Sequence, residues 1–475
     1  MRTRPSYALR TLAAGVLLLA SALGAEASAV QSMTDIIVTT VSDETNGNTS
    51  SVTALLSNPG PDGISLREAI LATNNNPGTY TIRFASTLRG VTILVNAQLP
   101  PLTGGGVTIE GDIDGDGKPD VTIGKSTSFF WYGNCPSSDG CGLSIASSKN
   151  QLHALTLVGF GAGVDIAPRQ PSMNVMATHQ TLSDNVVSGL VMHDIKQFGV
   201  IIGSMQGLNC GVRAGFFKPC WTFNTWTNTT ITGNTIQVLE TGISVKPAAA
   251  GDRFENTTVT DNNIQINGHD AGISFCTGGN GTETIISGGL IARNTITGRT
   301  DIGIGLVAGC ERAEKTIVEN VRILDNQVNL VSHDSDFCCQ GIIIQAGTDA
   351  PWAIFPDVLP LGYPDGNQTR NILVSGNTIS GTLVWGVSLA SGMGSGGSFN
   401  SVHDIQFKSN TITSDTQANA VLIWTAGGHP TFGNRLATGN QIAHVTLDSN
   451  RITVGGAKGS GPLEGPVNTY TTKLQ

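Results

Sequence analysis

The chain has 475 residues, a net charge of −9, 60 glycines, 5% aromatic residues and only 13% charged residues. This acidic balance argues against nucleic acid, and weakly against a polyanionic ligand, because affinity for such partners usually rests on a basic surface; a local basic site is still compatible with it. No block of like charge and no heptad pattern runs through the chain, which argues against disorder and coiled coil.

The N-terminus reads as a secretory signal. Arg2, Arg4 and Arg10 precede an apolar stretch from Thr11 to Leu23 that is too short to span a membrane. Ala27-Ser28-Ala29 then fits a small-x-small cleavage pattern, so residues 1–29 are expected to direct export and be removed. The mature chain is expected to be secreted or on the cell surface, with no membrane span. Eight cysteines suit disulfides in that compartment. Cys135 with Cys141 and Cys210 with Cys220 close short loops, while Cys276, Cys310, Cys338 and Cys339 fall where they can join neighbouring repeats.

A strand is expected at residues 35–39. Ser65 and Glu68 have capping-box spacing, which starts a short helix at Leu66 with Leu66, Ala69, Ile70 and Thr73 on its buried face. Its expected job is to cover the open apolar end of a solenoid. Further on, Asp112, Asp114, Asp116 and Asp120 follow the first part of a calcium loop, with Gly117 at the turn position. Position twelve is Ile123, where such loops carry Glu. A structural Ca2+ is the expectation here, against a solvated acidic turn.

From Asn185 onward, an asparagine followed two residues later by an aliphatic recurs at Asn234, Asn262, Asn294, Asn326, Asn377, Asn410 and Asn450. Spacings of 28 to 51 residues, with Thr, Ile and Val alternating around each Asn, mark a solenoid of strands. The Asn side chains are expected to stack as an amide ladder at one corner.

The segment Ile64-Ser65-Leu66-Arg67-Glu68-Ala69-Ile70, followed by Asn-rich residues and Thr81-Ile82-Arg83-Phe84, resembles the "CSLREAI" module of bacterial exported right-handed parallel β-helix proteins. Those modules often carry Cys where this chain has Ile64. The resemblance implies an all-β, right-handed parallel β-helix, here of about ten to thirteen coils, and an export route; it identifies no reaction. The expected organisation is a signal at 1–29, a capping module at 30–90, the β-helix at 91–455 and a polar tail at 456–475.

Aligning coils on Gly242, Gly272 and Gly303 places Glu240, Asp270 and Asp301 at one offset. Outward alternation at strand spacing, roughly 4.8 Å, would stack them as a carboxylate column. His269, Arg299 and His333 flank it as candidate acid–base or charge-stabilising groups. Asp before Gly is also ordinary turn chemistry. Three insertions are rich in aromatics: 128–141, 210–226 and 348–367. Trp221, Trp226, Trp352 and Tyr363 are candidate platforms for sugar rings, or else satellite packing against the solenoid. Two functional classes result: an enzyme acting on extracellular polysaccharide by lyase or glycoside hydrolase chemistry, or a non-catalytic glycan-binding or adhesion protein. The motifs expected of polygalacturonases are absent.

Overall fold

The computed structural model describes residues 34–475 apart from 131–134, 136, 170–176, 204–211, 214–215, 218–220, 248, 279–281, 311–312, 332–338, 348–364, 384, 393–396, 415–418, 426–438, 455–460 and 468–475. The expectations for residues 1–29 and for Cys210, Cys220, His333, Cys338, Trp352 and Tyr363 fall outside the described residues.

The chain winds as a right-handed parallel β-helix. A typical coil has four short strands: Arg253–Glu255, Thr258–Thr260, Asn263–Asn267 and Ala271–Thr277. Each pairs in parallel with its counterpart one coil on, at Ile285–Ser287, Leu290–Ala292, Thr295–Arg299 and Ile302–Ala308. Four ladders result, called first to fourth in coil order. Alternation within a strand sends Ile264 inward onto Ile296 and Val328, all buried, and leaves Asn263 and Gln265 in solvent. The fourth ladder differs. Among the described residues its nine strands run from Cys141–Ile145 to Asn419–Thr425, and those from Cys141–Ile145 to Trp385–Ser391 carry mostly buried residues on both faces.

At the corner between the second and third ladders, seven asparagines stack: 234, 262, 294, 326, 377, 410 and 450. Each Nδ2 donates to the next Oδ1 at 2.9 Å. The same Oδ1 also accepts the preceding Asn backbone amide, as Asn326 does from Asn294 at 2.9 Å. These buried amides satisfy the turn groups that parallel stacking would otherwise orphan. Asn185 is not part of this column. It sits one corner earlier, where its Oδ1 accepts from the Asn150 amide at 2.9 Å. In that coil Leu190 occupies the ladder corner and donates its amide to Asn234 Oδ1 at 2.9 Å.

The N-terminal residues are the first rungs of the solenoid. Thr34–Val38 pairs with Tyr80–Phe84, which pairs with Val107–Glu110. Helix α1 (Val52–Ser57), capped by Ser51, was not expected. Helix α2 (Leu66–Asn75) has the expected capping box and buries Leu66, Ala69, Ile70 and Thr73. The intervening charges are also used. Arg67 forms a two-pronged pair with Asp43 at 2.9 and 2.8 Å and donates to the carbonyls of Ala97 and Gln98. Buried Glu68 accepts the amides of Asn46 at 2.7 Å and Gly47 at 2.6 Å. At the other end, part of the expected tail is a strand: Gly461–Val467 pairs antiparallel with Gln441–Val454. Disulfides Cys135–Cys141 and Cys276–Cys310 are formed, the second across adjacent coils, and Cys339 is disulfide-bonded as well.

Candidate functional site

Where the third ladder turns into the fourth, the residue before each fourth-ladder strand is Gln197, Glu240, Asp270 and Asp301 on successive coils. Backbone hydrogen bonds carry the stacking through this corner. Thr241 N donates to Gln197 O at 2.8 Å, Ile302 N to Asp270 O at 3.0 Å and Gln340 N to Asp301 O at 2.8 Å. The three acidic residues therefore share one corner, one coil apart, at backbone spacings of roughly 4.8 Å.

Their surroundings differ. Glu240 is exposed, Asp270 is half-buried and Asp301 is only 3% exposed. Asp301 therefore does not stand in an open outward column. The Asp270 carboxylate accepts a hydrogen bond from the Thr241 hydroxyl. Although its side chain reaches solvent, desolvation by the neighbouring protein, and then the nearby negative charge of Asp270, push the Glu240 carboxyl above the usual carboxylate range. His269 and Arg299 are exposed at the same corner, with Arg299 in register with Asn267.

Simple alternation along the strand, on which the expected outward column rested, does not set these orientations. The ladder pairing passes over the corner glycines. A Cβ on Gly272 would lie 2.5 Å from Gly303 O and 2.5 Å from Ile296 Cγ2. Gly272 therefore turns to the core beside Ile273, and only glycine permits that backbone approach.

The third-ladder strands leading to this corner form a groove of about 540 Å³ whose lining includes His193, Gln237, Gln265, Asn263 and Thr297. Gln237 precedes Glu240 by three residues, but the carboxylates themselves do not line the groove.

The aromatic residues divide. Trp226 is 0% exposed, so it is not a surface platform; it stacks on Phe254 at 4.3 Å and its indole N–H donates to Ile166 O at 3.0 Å. Its flanking Thr225 and Thr227 face outward, so period-two alternation sends Trp226 to the core. Trp221 is 42% exposed and stacks on Phe223, 44% exposed, at 5.4 Å; Phe223 in turn stacks on His179 at 5.3 Å. Sequence reasoning missed that three-ring stack. It precedes the first ladder, so the length of a fourth-ladder strand separates it from the carboxylate corner, about 16 Å for a five-residue strand. Asp165, also missed, lies on the outer side of the fourth ladder at 4% exposure, and burial alone drives its carboxyl well above the usual range.

Asp112, Asp114 and Asp116 bring carboxylate oxygens within 4.8 Å of one another, an arrangement that could hold a metal ion. Part of the donor set is already engaged. Asp112 accepts the amides of Gly115 at 2.7 Å and Gly117 at 2.8 Å, and Asp114 pairs with Arg89. Asp120 stands apart, paired with Arg89 at 2.9 Å and accepting the Ile113 amide at 2.8 Å. The Arg89 guanidinium neutralises two of the four expected ligands, so an ion here would compete with it.

No described protein family and no curated protein matches this sequence. Solved structures do resemble it in fold. The A-module of a mannuronan C-5 epimerase from Azotobacter vinelandii is 14% identical over 82% of this chain and 96% of its own, with a TM-score of 0.28. The catalytic unit of a GH87 α-1,3-glucanase from Streptomyces thermodiastaticus is 12% identical over 91% of this chain and 71% of its own, with a TM-score of 0.34. A surface adhesin of Streptococcus pneumoniae is 12% identical over 82% and 88%, with a TM-score of 0.28. At these identities the likeness concerns the fold and carries no activity across.

Proposed function

We propose that this protein acts on extracellular polysaccharide as a glycoside hydrolase, with Glu240 as general acid and Asp270 as its carboxylate partner. The observation that carries this reading is the one-coil stacking of the two groups with the Glu240 carboxyl raised. Two neighbouring carboxyl groups, one of them raised by its surroundings, suit the division of labour that glycosidic cleavage requires. Glu240 would protonate the departing glycosidic oxygen while Asp270 attacks the anomeric carbon; water then cleaves the glycosyl ester, with Glu240 now accepting its proton. The coil spacing of roughly 4.8 Å is near the 5–5.5 Å carboxyl separation of retaining enzymes. Gln237, Gln265 and Thr297 would bind the sugar hydroxyls, and Arg299 and His269 would bracket the reacting centre. Export through residues 1–29 and the disulfides fit work outside the cytoplasm.

The test is incubation of the mature protein with a polysaccharide panel, reading new reducing ends and, separately, absorbance of unsaturated uronates. Glu240→Gln and Asp270→Asn should each lower reducing-end release at least a hundredfold while the fold melts normally. Full activity in both variants would remove the acid–base assignment.

The exposed Trp221–Phe223 stack favours a second reading, a non-catalytic glycan-binding or adhesion protein. In that case Trp221→Ala should weaken glycan binding, and the two carboxylate variants should leave it unchanged. At Asp112, Asp114 and Asp116 a bound Ca2+ would have a structural role remote from this chemistry.

A further inference from the structure

The outer face of the third ladder has a composition that bears on what the groove accepts. We infer that it takes an uncharged, linear glycan laid along the solenoid axis, and not a uronate polymer. This rests on the glycan-acting reading above and narrows its substrate.

Each coil presents at least two outward side chains on this face. Among them are Thr235 and Gln237, Asn263 and Gln265, then Thr295 and Thr297. The next three coils continue in register, through Thr411 and Thr413, without introducing a charge. At these two positions six consecutive coils thus offer twelve hydroxyl or amide groups and no ionised one, while the third outward position of two coils holds Asn267 and Arg299. The pairing is residue for residue, so like groups repeat at roughly 4.8 Å along the axis. A pyranose ring is of comparable length. A chain of such rings meets the same kind of donor and acceptor pair at each sugar, through groups suited to hydroxyls.

The charges around this face point the same way. A polyuronate brings a carboxylate with nearly every sugar, and it would approach exposed Glu240 and half-buried Asp270. Nearby cations are few. His193 hydrogen-bonds Asp194 at 2.9 Å, and Lys196, one coil back at the corner, is held by Asp139 at 2.9 Å. Arg299 stands at the end of its strand, and Arg451, in register with Thr411, stands one coil beyond the neutral run. The chain's net charge of −9 adds to the repulsion. Elimination chemistry on a uronate also needs its carboxylate neutralised to acidify the adjacent C–H. Six coils of neutral groups do not supply that, whereas hydrolysis of a neutral glycan does not need it.

The experiment separates binding from cleavage. Glu240→Gln protein is titrated calorimetrically with linear neutral glucans and mannans, and with polygalacturonate and alginate, at low and high salt. Binding of a neutral glycan that is indifferent to salt is expected. Gln265→Lys combined with Thr297→Lys should weaken that binding roughly tenfold and create salt-sensitive binding of a polyuronate. Wild-type protein that binds or cleaves a polyuronate and ignores every neutral glycan overturns the inference, even if Glu240 proves essential. A neutral glycan bound but never cleaved leaves the inference standing and ends the hydrolase assignment. No binding to either class ends both.

Discussion

At the residue scale, chemical type alone did not predict environment. Asp165 is one acidic residue in an otherwise small and apolar strand, Ala162–Ile166, and nothing in the sequence marks it as buried. Burial raises its carboxyl above the unfolded value of about 3.9. Its favourable contribution is therefore complete below that unfolded value and lost as pH rises through the folded one. Asp165→Asn removes the titration, so at pH 7 the variant should melt higher than the parent, and the difference should vanish near pH 3. A lower melting temperature at neutral pH would mean that the ionised carboxylate is stabilised in the fold. Trp226 teaches the converse. Its Thr-Trp-Thr context carried the inward signal, but proximity to an aromatic-rich insertion led sequence reading astray. Asn185 likewise matches the repeat in letters while standing at another corner, because a three-letter motif does not say which turn of a coil it occupies.

At the element scale, the N-terminal motif was legible because its spacing has a mechanical cause. Ser65 caps α2, Leu66 and Ile70 bury, Arg67 ties the helix to Asp43, and Glu68 gathers the amides of residues 46 and 47. Ile70→Asp should destabilise the protein by several kcal/mol, from lost apolar burial plus a charge forced into the core. An unchanged melting curve would show that the helix does not seal the first coil. Helix α1 was not legible: six residues with one Ser cap fall below what periodicity can reveal. The Asp112–Asp120 loop was legible as an acidic cluster, but its cation, Arg89, lies 25 residues from Asp114. If Ca2+ binds, a chelator should lower the melting temperature, since a ligand of the native state stabilises by mass action. Asp114→Ala with Asp116→Ala should abolish that response. No chelator effect on the parent would leave Arg89 and Lys118 as the counter-charges of the loop.

At the scale of the whole molecule, the solenoid was readable because every coil repeats the same solution. The candidate corner was harder, because it depends on the glycines at which alternation fails. The outcome is a structure whose coils contact mainly their neighbours, so its ends matter more than in a compact fold. The last long parallel strand, Gln441–Val454, is not left open: Gly461–Val467 crosses it in the opposite direction. A reversed strand offers the wrong polarity for another coil of the same kind, and so acts as a stop on growth. A chain cut after Val454 would present bare amides and carbonyls, on which a second molecule could continue the winding. Such a truncated protein should associate through that exposed end, with light scattering that rises with concentration, where the uncut chain stays dispersed.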